Sequence, residues 1–157
     1  MHVELSIDDC IYGRLHPHLM GEHNVQNLKG TFMYKDIPFA DFCIEEACLT
    51  YFKETDRDSN WRMYPAEWVV SIRTDIGITG SIEYITLNEY FKNHVVEDGA
   101  YDLNNYLKSL GLDHYDLDEI IKRNNGADWV TDFWVKFKSV GCQSYAELRE
   151  FVPPLIF

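Results

Sequence analysis

The sequence predicts an α+β fold: a small antiparallel sheet from the N-terminal half, helices packed on one of its faces, and a C-terminal half that is mostly helical. Two observations predict it. Apolar and polar residues alternate with period two in short segments of the first half, whereas capping sequences and apolar spacings of three and four residues mark the second. Strand and helix signals are largely segregated and do not alternate as β–α units, which argues against a parallel α/β sheet. With 157 residues, 46% of them apolar and 15% aromatic, the chain reads as one compact domain over residues 1–157, large enough to bury a core without staples.

Val3, Leu5 and Ile7 alternate with Glu4, Ser6 and Asp8, the pattern of a half-buried strand. Residues 13–30 hold three Gly, three His and one Pro and read as a loop, followed by a strand over Thr31–Lys35. From Pro38 the pattern changes. Phe39, Phe42, Cys43, Ala47 and Tyr51 fall at helical spacing and Pro38 suits a first turn, which predicts a helix over 38–53. ETDRDSN (54–60) reads as a turn. WRMYPAEWVVSIRT (61–74) reads as a strand region broken at Pro65, and SIEYIT (81–86), beyond the Gly77–Gly80 turn, as its hairpin partner.

Downstream, Thr86 to Glu89, Asp116 to Glu119 and Ser144 to Glu147 resemble capping boxes, with an oxygen-bearing cap and an acid three residues later. Gly111 follows the helical stretch AYDLNNYLKSL in the position of a C-cap. Val130, Phe133, Trp134, Phe137 and Val140 recur every three or four residues between Asp128 as cap and Gly141 as stop, so helix is the preferred reading. The same stretch alternates as Trp129, Thr131, Phe133, Val135 and Phe137, and strand is the competing one.

Twenty-six acidic and 14 basic side chains give a net charge of −12. The acids are spread evenly, 8 in residues 1–50, 9 in 51–100 and 9 in 101–157, so the charge belongs to the whole surface. Such a surface repels the phosphates of nucleic acids and anionic membranes, because both are bound through Lys and Arg. It steers toward basic protein partners, and it also simply favours solubility. The expected partner is thus a basic protein, with no direct nucleic-acid and no membrane contact. No apolar run approaches the roughly 20 residues that span a bilayer. MHVELSIDDC lacks the basic and apolar regions of a signal peptide, so Cys10, Cys43, Cys48 and Cys142 are expected reduced in the cytoplasm.

Cys10, His16, His18 and His23 form the densest set of soft ligands, four within fourteen residues. Their spacing matches no standard zinc module, so a polar loop is favoured, and a metal-binding domain or small enzyme built on this segment is the alternative. Cys43 lies where the predicted helix begins, which lowers a thiol pKa; its apolar face and the adjacent Glu45 and Glu46 act the other way. Both Cys43 and Cys48 read as inert. Carboxylate pairs such as Asp8–Asp9, Asp56–Asp58 and Glu97–Asp98 suit turns and helix starts, and ETDRD (54–58) lacks the glycine and closing Glu of a calcium loop. Phosphate-binding, nucleophile-elbow and His-Glu-x-x-His motifs are missing from the sequence. No catalytic residue, cofactor or metal is assigned.

What remains is the region where tyrosines accompany the acids, a composition suited to protein binding. Asp102, Tyr106, Asp113, Tyr115, Asp116, Asp118 and Glu119 form the expected partner-binding set, against the plainer reading of an amphipathic helix pair with a solvated acidic side. The expected function is non-enzymatic: an acidic inhibitory protein that blocks a basic, nucleic-acid-binding type of partner as a nucleic-acid mimic, in the manner of an immunity or anti-defence protein.

Overall fold

A computed structural model describes residues 2–3, 21–95, 102–128 and 130–151. Five strands, β1 (His2–Val3), β2 (Leu28–Tyr34), β3 (Ile37–Glu45), β4 (Cys48–Glu54) and β5 (Phe133–Lys136), form one antiparallel sheet in the order β1-β4-β3-β2-β5. Four come from the N-terminal half, and β5 returns from the C-terminal half to extend the β2 edge. The helices are α1 (Arg57–Asn60), α2 (Ala66–Ile72), α3 (Tyr84–His94), α4 (Leu103–Ser109), α5 (Leu117–Asn124) and α6 (Tyr145–Phe151), with a 3-10 turn at Trp61–Met63. The fold is α+β.

One face of the sheet is the core face. Leu28 and Phe32 on β2, Phe39, Ala40, Phe42 and Ile44 on β3, Leu49 and Phe52 on β4, and Phe133 and Val135 on β5 join the buried faces of α2 to α5 in one apolar cluster. Phe32 sits at its centre, its ring 4.6 Å from Trp68 of α2 and 5.0 Å from Tyr90 of α3, the latter edge-on. Edge-to-face and offset contacts of this kind add to the gain from area burial alone. A smaller cluster lies on the opposite face, where Met33 and its cross-strand partner Trp134 pack with Cys142 and Leu148 of the α6 region.

The predicted helix over 38–53 is instead the β3–β4 hairpin. Two irregularities of register, at Phe32/Met33 and at Cys43/Ile44, interrupt strict alternation and leave apolar residues at spacings that imitate a helix. The turn itself is unusual in sequence: Glu46 and Ala47 both have positive φ, 49° and 58°, where hairpins favour Asn or Gly. Long-range bonds hold it, with the Ala47 N–H donating to the Gln26 carbonyl (3.0 Å) and the Glu46 N–H to Asn27 Oδ1 (3.2 Å).

The reverse correction applies to residues 61–86. The predicted strand region is the 3-10 turn followed by α2, which starts after Pro65 and buries Trp68 and Ile72 four residues apart. The predicted partner strand SIEYIT opens α3. Its capping box uses Glu83 as cap and Thr86 at the third position, so Thr86 is present in a box but one turn earlier than expected. Gly80 lets the connection close over α2: its N–H donates to the Ile72 carbonyl at 2.7 Å, and a Cβ there would lie 2.5 Å from the Ser71 carbonyl oxygen.

The preferred helix over 130–140 is also replaced, by β5. Asp128 does cap, but it caps a turn: Oδ1 accepts the N–H groups of Val130 (2.9 Å) and Thr131 (3.3 Å). Phe133 and Val135 then alternate inward beside β2. Other boundary signals correspond directly. Asp116 caps α5 by accepting the Glu119 N–H, Ser144 accepts the Glu147 N–H at the start of α6, and Gly111 (φ 78°) ends α4 with a Leu112-to-Leu107 bond. The alternation at 3–7 falls largely outside the described residues.

Candidate acidic interaction site

The site predicted from Tyr and acid content lies on α4, α5 and the bend between them. α5 is fixed by its apolar face, since Leu117, Ile120, Ile121 and Asn124 are buried. Arg123 Nη1 donates to the Leu110 carbonyl (2.9 Å), and Asn124 Nδ2 donates to the Tyr106 hydroxyl (3.0 Å), so α5 holds the end of α4. Tyr106 is therefore a half-buried tie between helices, and burial raises its pKa.

Tyr115 and Asp118 also turn inward. The Tyr115 ring is buried and stacks on His23 at 5.2 Å and 16°. Asp118 accepts the N–H groups of Gln26 and Asn27, each at 2.9 Å. Burial raises the Asp118 pKa more than these two bonds lower it. With the Leu117 N–H donating to the Glu22 carbonyl (2.8 Å), these contacts staple residues 22–27 onto the start of α5. His23, predicted as part of a polar loop, is thus part of this staple. Cys10, His16 and His18 lie outside the described residues.

The rest of the set faces outward. Asp102 is exposed, in a left-handed conformation (φ 60°), and accepts Asn105 Nδ2. Glu119 is half-exposed and 3.5 Å from Arg123. Asp113 is 95% exposed and accepts from His114 Nδ1 at 2.6 Å, which lowers its pKa. His114 Nε2 lies 3.2 Å from Glu22 Oε2. The hydrogen bond to Asp113, then the Glu22 charge, raise the His114 pKa. Glu22, His114 and Asp116 each place one ligand atom within 4.8 Å of the others. Sequence reasoning missed Glu22 and His114 because Glu22 lies more than ninety positions from the acids it joins.

Two further charged clusters, also invisible in sequence, are built around the buried acids Glu54 and Asp128. Glu54 is a bidentate partner of Arg57 (2.9 and 2.7 Å) and accepts the Tyr64 hydroxyl (2.7 Å), while Arg57 Nη1 donates to the Ile78 and Gly80 carbonyls. This knot fastens β4 to the loop that Gly80 closes. In the second, His94 Nδ1 is 2.9 Å from Asp128 Oδ2 and Nε2 is 2.7 Å from Glu67 Oε2. Tyr90 stacks on the His94 ring at 4.5 Å, and Asp128 Oδ2 also accepts from Tyr90 (3.2 Å) and Thr131 Oγ1 (2.7 Å). Burial opposes charge on His94 and on Asp128. The bonds between the groups outweigh it, so the His94 pKa is raised and the Asp128 pKa lowered. Carboxylates on both ring nitrogens favour the charged form, and the ring clasps α2, α3 and the turn before β5 together.

Cys43 lies on β3, with no helix dipole to activate it; burial and then Glu45 raise its thiol pKa against a bond from Thr50. Burial and then Glu147 raise that of Cys142. Both are poor thiolates at neutral pH. Among the described residues no helix is long and apolar enough to cross a membrane. Comparison with family models, with curated proteins and with solved structures finds no match.

Proposed function

We propose that this protein is a non-enzymatic binding protein of the cytoplasm that blocks the basic surface of a partner protein. The observation that carries this reading is the outward-facing group Glu22, Asp113, Asp116 and Glu119, set on a bend whose backbone is held by the staple to residues 22–27 and by the α4–α5 ties. Carboxylates on a held backbone pair with less loss of loop freedom than those on a mobile one, and charge complementarity speeds encounter. The net charge of −12 extends the same field over the molecule, which favours a partner that ordinarily meets nucleic-acid phosphates. Free thiols at Cys43 and Cys142 accord with a reducing compartment.

The test is capture of basic proteins from a lysate on immobilised protein, comparing the wild type with an Asp113→Asn, Asp116→Asn, Glu119→Gln variant. Asn retains the cap at 116, so the variant alters charge with little effect on fold. Capture should fall in the variant and when salt is raised from about 0.1 to about 0.5 M. Undiminished capture in both arms would overturn the reading.

A further inference from the structure

We propose that Glu22, His114 and Asp116 form a binding site for a divalent first-row transition-metal ion of the zinc class. The three side chains converge from two separate stretches of chain, each with one ligand atom within 4.8 Å of the others. Tetrahedral zinc, with bonds of about 2.0–2.1 Å, places its ligand atoms roughly 3.3 Å apart. His114 Nε2 and Glu22 Oε2 already stand 3.2 Å apart. All three side chains stand at half-exposed or exposed positions, where rotation is open to them. One imidazole nitrogen with two carboxylate oxygens is a mixed set that suits zinc and its neighbours over magnesium or calcium, which favour all-oxygen sites. A fourth position is left for water.

An independent feature points the same way. The other ring nitrogen of His114, Nδ1, bonds Asp113 Oδ1 at 2.6 Å. A carboxylate behind a histidine is the usual outer support of a metal-bound imidazole: it fixes the tautomer, turns Nε2 toward the metal and raises its basicity. The ligand-bearing backbone is also set in advance. The Glu22 carbonyl is bound by the Leu117 N–H, and Asp118 holds the Gln26 and Asn27 N–H groups. Asp116 is fixed as the cap of α5 through the Glu119 N–H, which bonds one of its two oxygens. A metal on Nε2 competes with protons for the same lone pair, so binding weakens as pH falls.

This inference does not rest on the partner-binding reading, since an ion would bind the isolated chain. The test is calorimetric titration of the chelator-treated full chain with zinc chloride. It is repeated in a Cys10→Ser, His16→Ala, His18→Ala background, so that the soft ligands of residues 10–18 do not contribute. One ion per chain should bind in both. His114→Ala and Glu22→Gln should each weaken binding more than about tenfold, and Asp113→Asn by less than either. The His114 ring resonances should shift on zinc addition. Circular dichroism establishes that each variant is folded. Loss of binding in the background variant, binding unaffected by either ligand substitution, or an equal response to magnesium chloride would each overturn the proposal.

Discussion

His94 and His114 are built alike and placed differently. Each imidazole lies between two carboxylates, Asp128 and Glu67 for one, Asp113 and Glu22 for the other, and each has a raised pKa. Yet Asp128 is completely buried, whereas Asp113 is 95% exposed. Around His94 the partners are fixed by packing, with Tyr90 stacked on the ring and Thr131 on the acid. Around His114 the same partners stand in water, where screening and side-chain freedom reduce their worth. The same chemistry therefore makes an internal fastening in one place and an open binding group in the other. Burial decides between them.

Asp128→Ala is the strongest way to break this contrast. It leaves His94 and Glu67 partly buried and removes the acceptor of Tyr90, Thr131 and two backbone N–H groups. It should cost about 3–5 kcal/mol in urea unfolding, and a loss comparable to surface substitutions would mean that burial does not separate the two histidines. Next in size is the pH dependence of the clasp. His94 has a raised pKa when folded, so its contribution is complete below its unfolded value near 6.5 and fades as pH rises through the folded value. Asp128 has a lowered one, so its contribution is complete above its unfolded value near 3.9 and fades as pH falls through the folded value. The clasp, with Glu67 and Tyr90 facing the same ring, should be strongest between about pH 4 and about 6.5. The stability gap between wild type and His94→Asn, followed by urea midpoints, should narrow above that window; a constant gap would refute the sign.

Smaller effects test the exposed side. Glu46→Asn should raise stability by up to about 1 kcal/mol, because Asn accepts the positive φ that Glu46 adopts in the β3–β4 turn. This serves as a scale for purely local strain. The smallest change is expected for His114→Ala, which should leave the urea midpoint in place at pH 7 while altering zinc binding. A large destabilisation would mean that His114 is a fastening like His94.

How much was legible in the sequence depended on whether a signal was local. Asp116, Ser144 and Gly111 are boundary residues whose roles follow from one turn of backbone, and each is where the sequence places it. Phe39 to Tyr51 and Val130 to Val140 were misleading, since aromatic and β-branched residues suit either a strand or a buried helix face. The candidate site was half legible. Asp113, Asp116 and Glu119 face outward as composition suggests, but Tyr115 and Asp118 look alike in sequence and are spent on holding residues 22–27.

The sequence by itself determined the net charge, the α+β class and the helix boundaries at Gly111, Asp116 and Ser144, because these depend on composition and on neighbours within a turn. Tertiary structure alone decided that residues 37–54 pair as a hairpin, that 133–136 join its sheet, and which carboxylates meet which histidine. Those outcomes rest on bonds across long stretches of chain, such as Ala47 to Gln26 and His94 to Asp128, whose summed energy exceeds the weak preferences of any single segment.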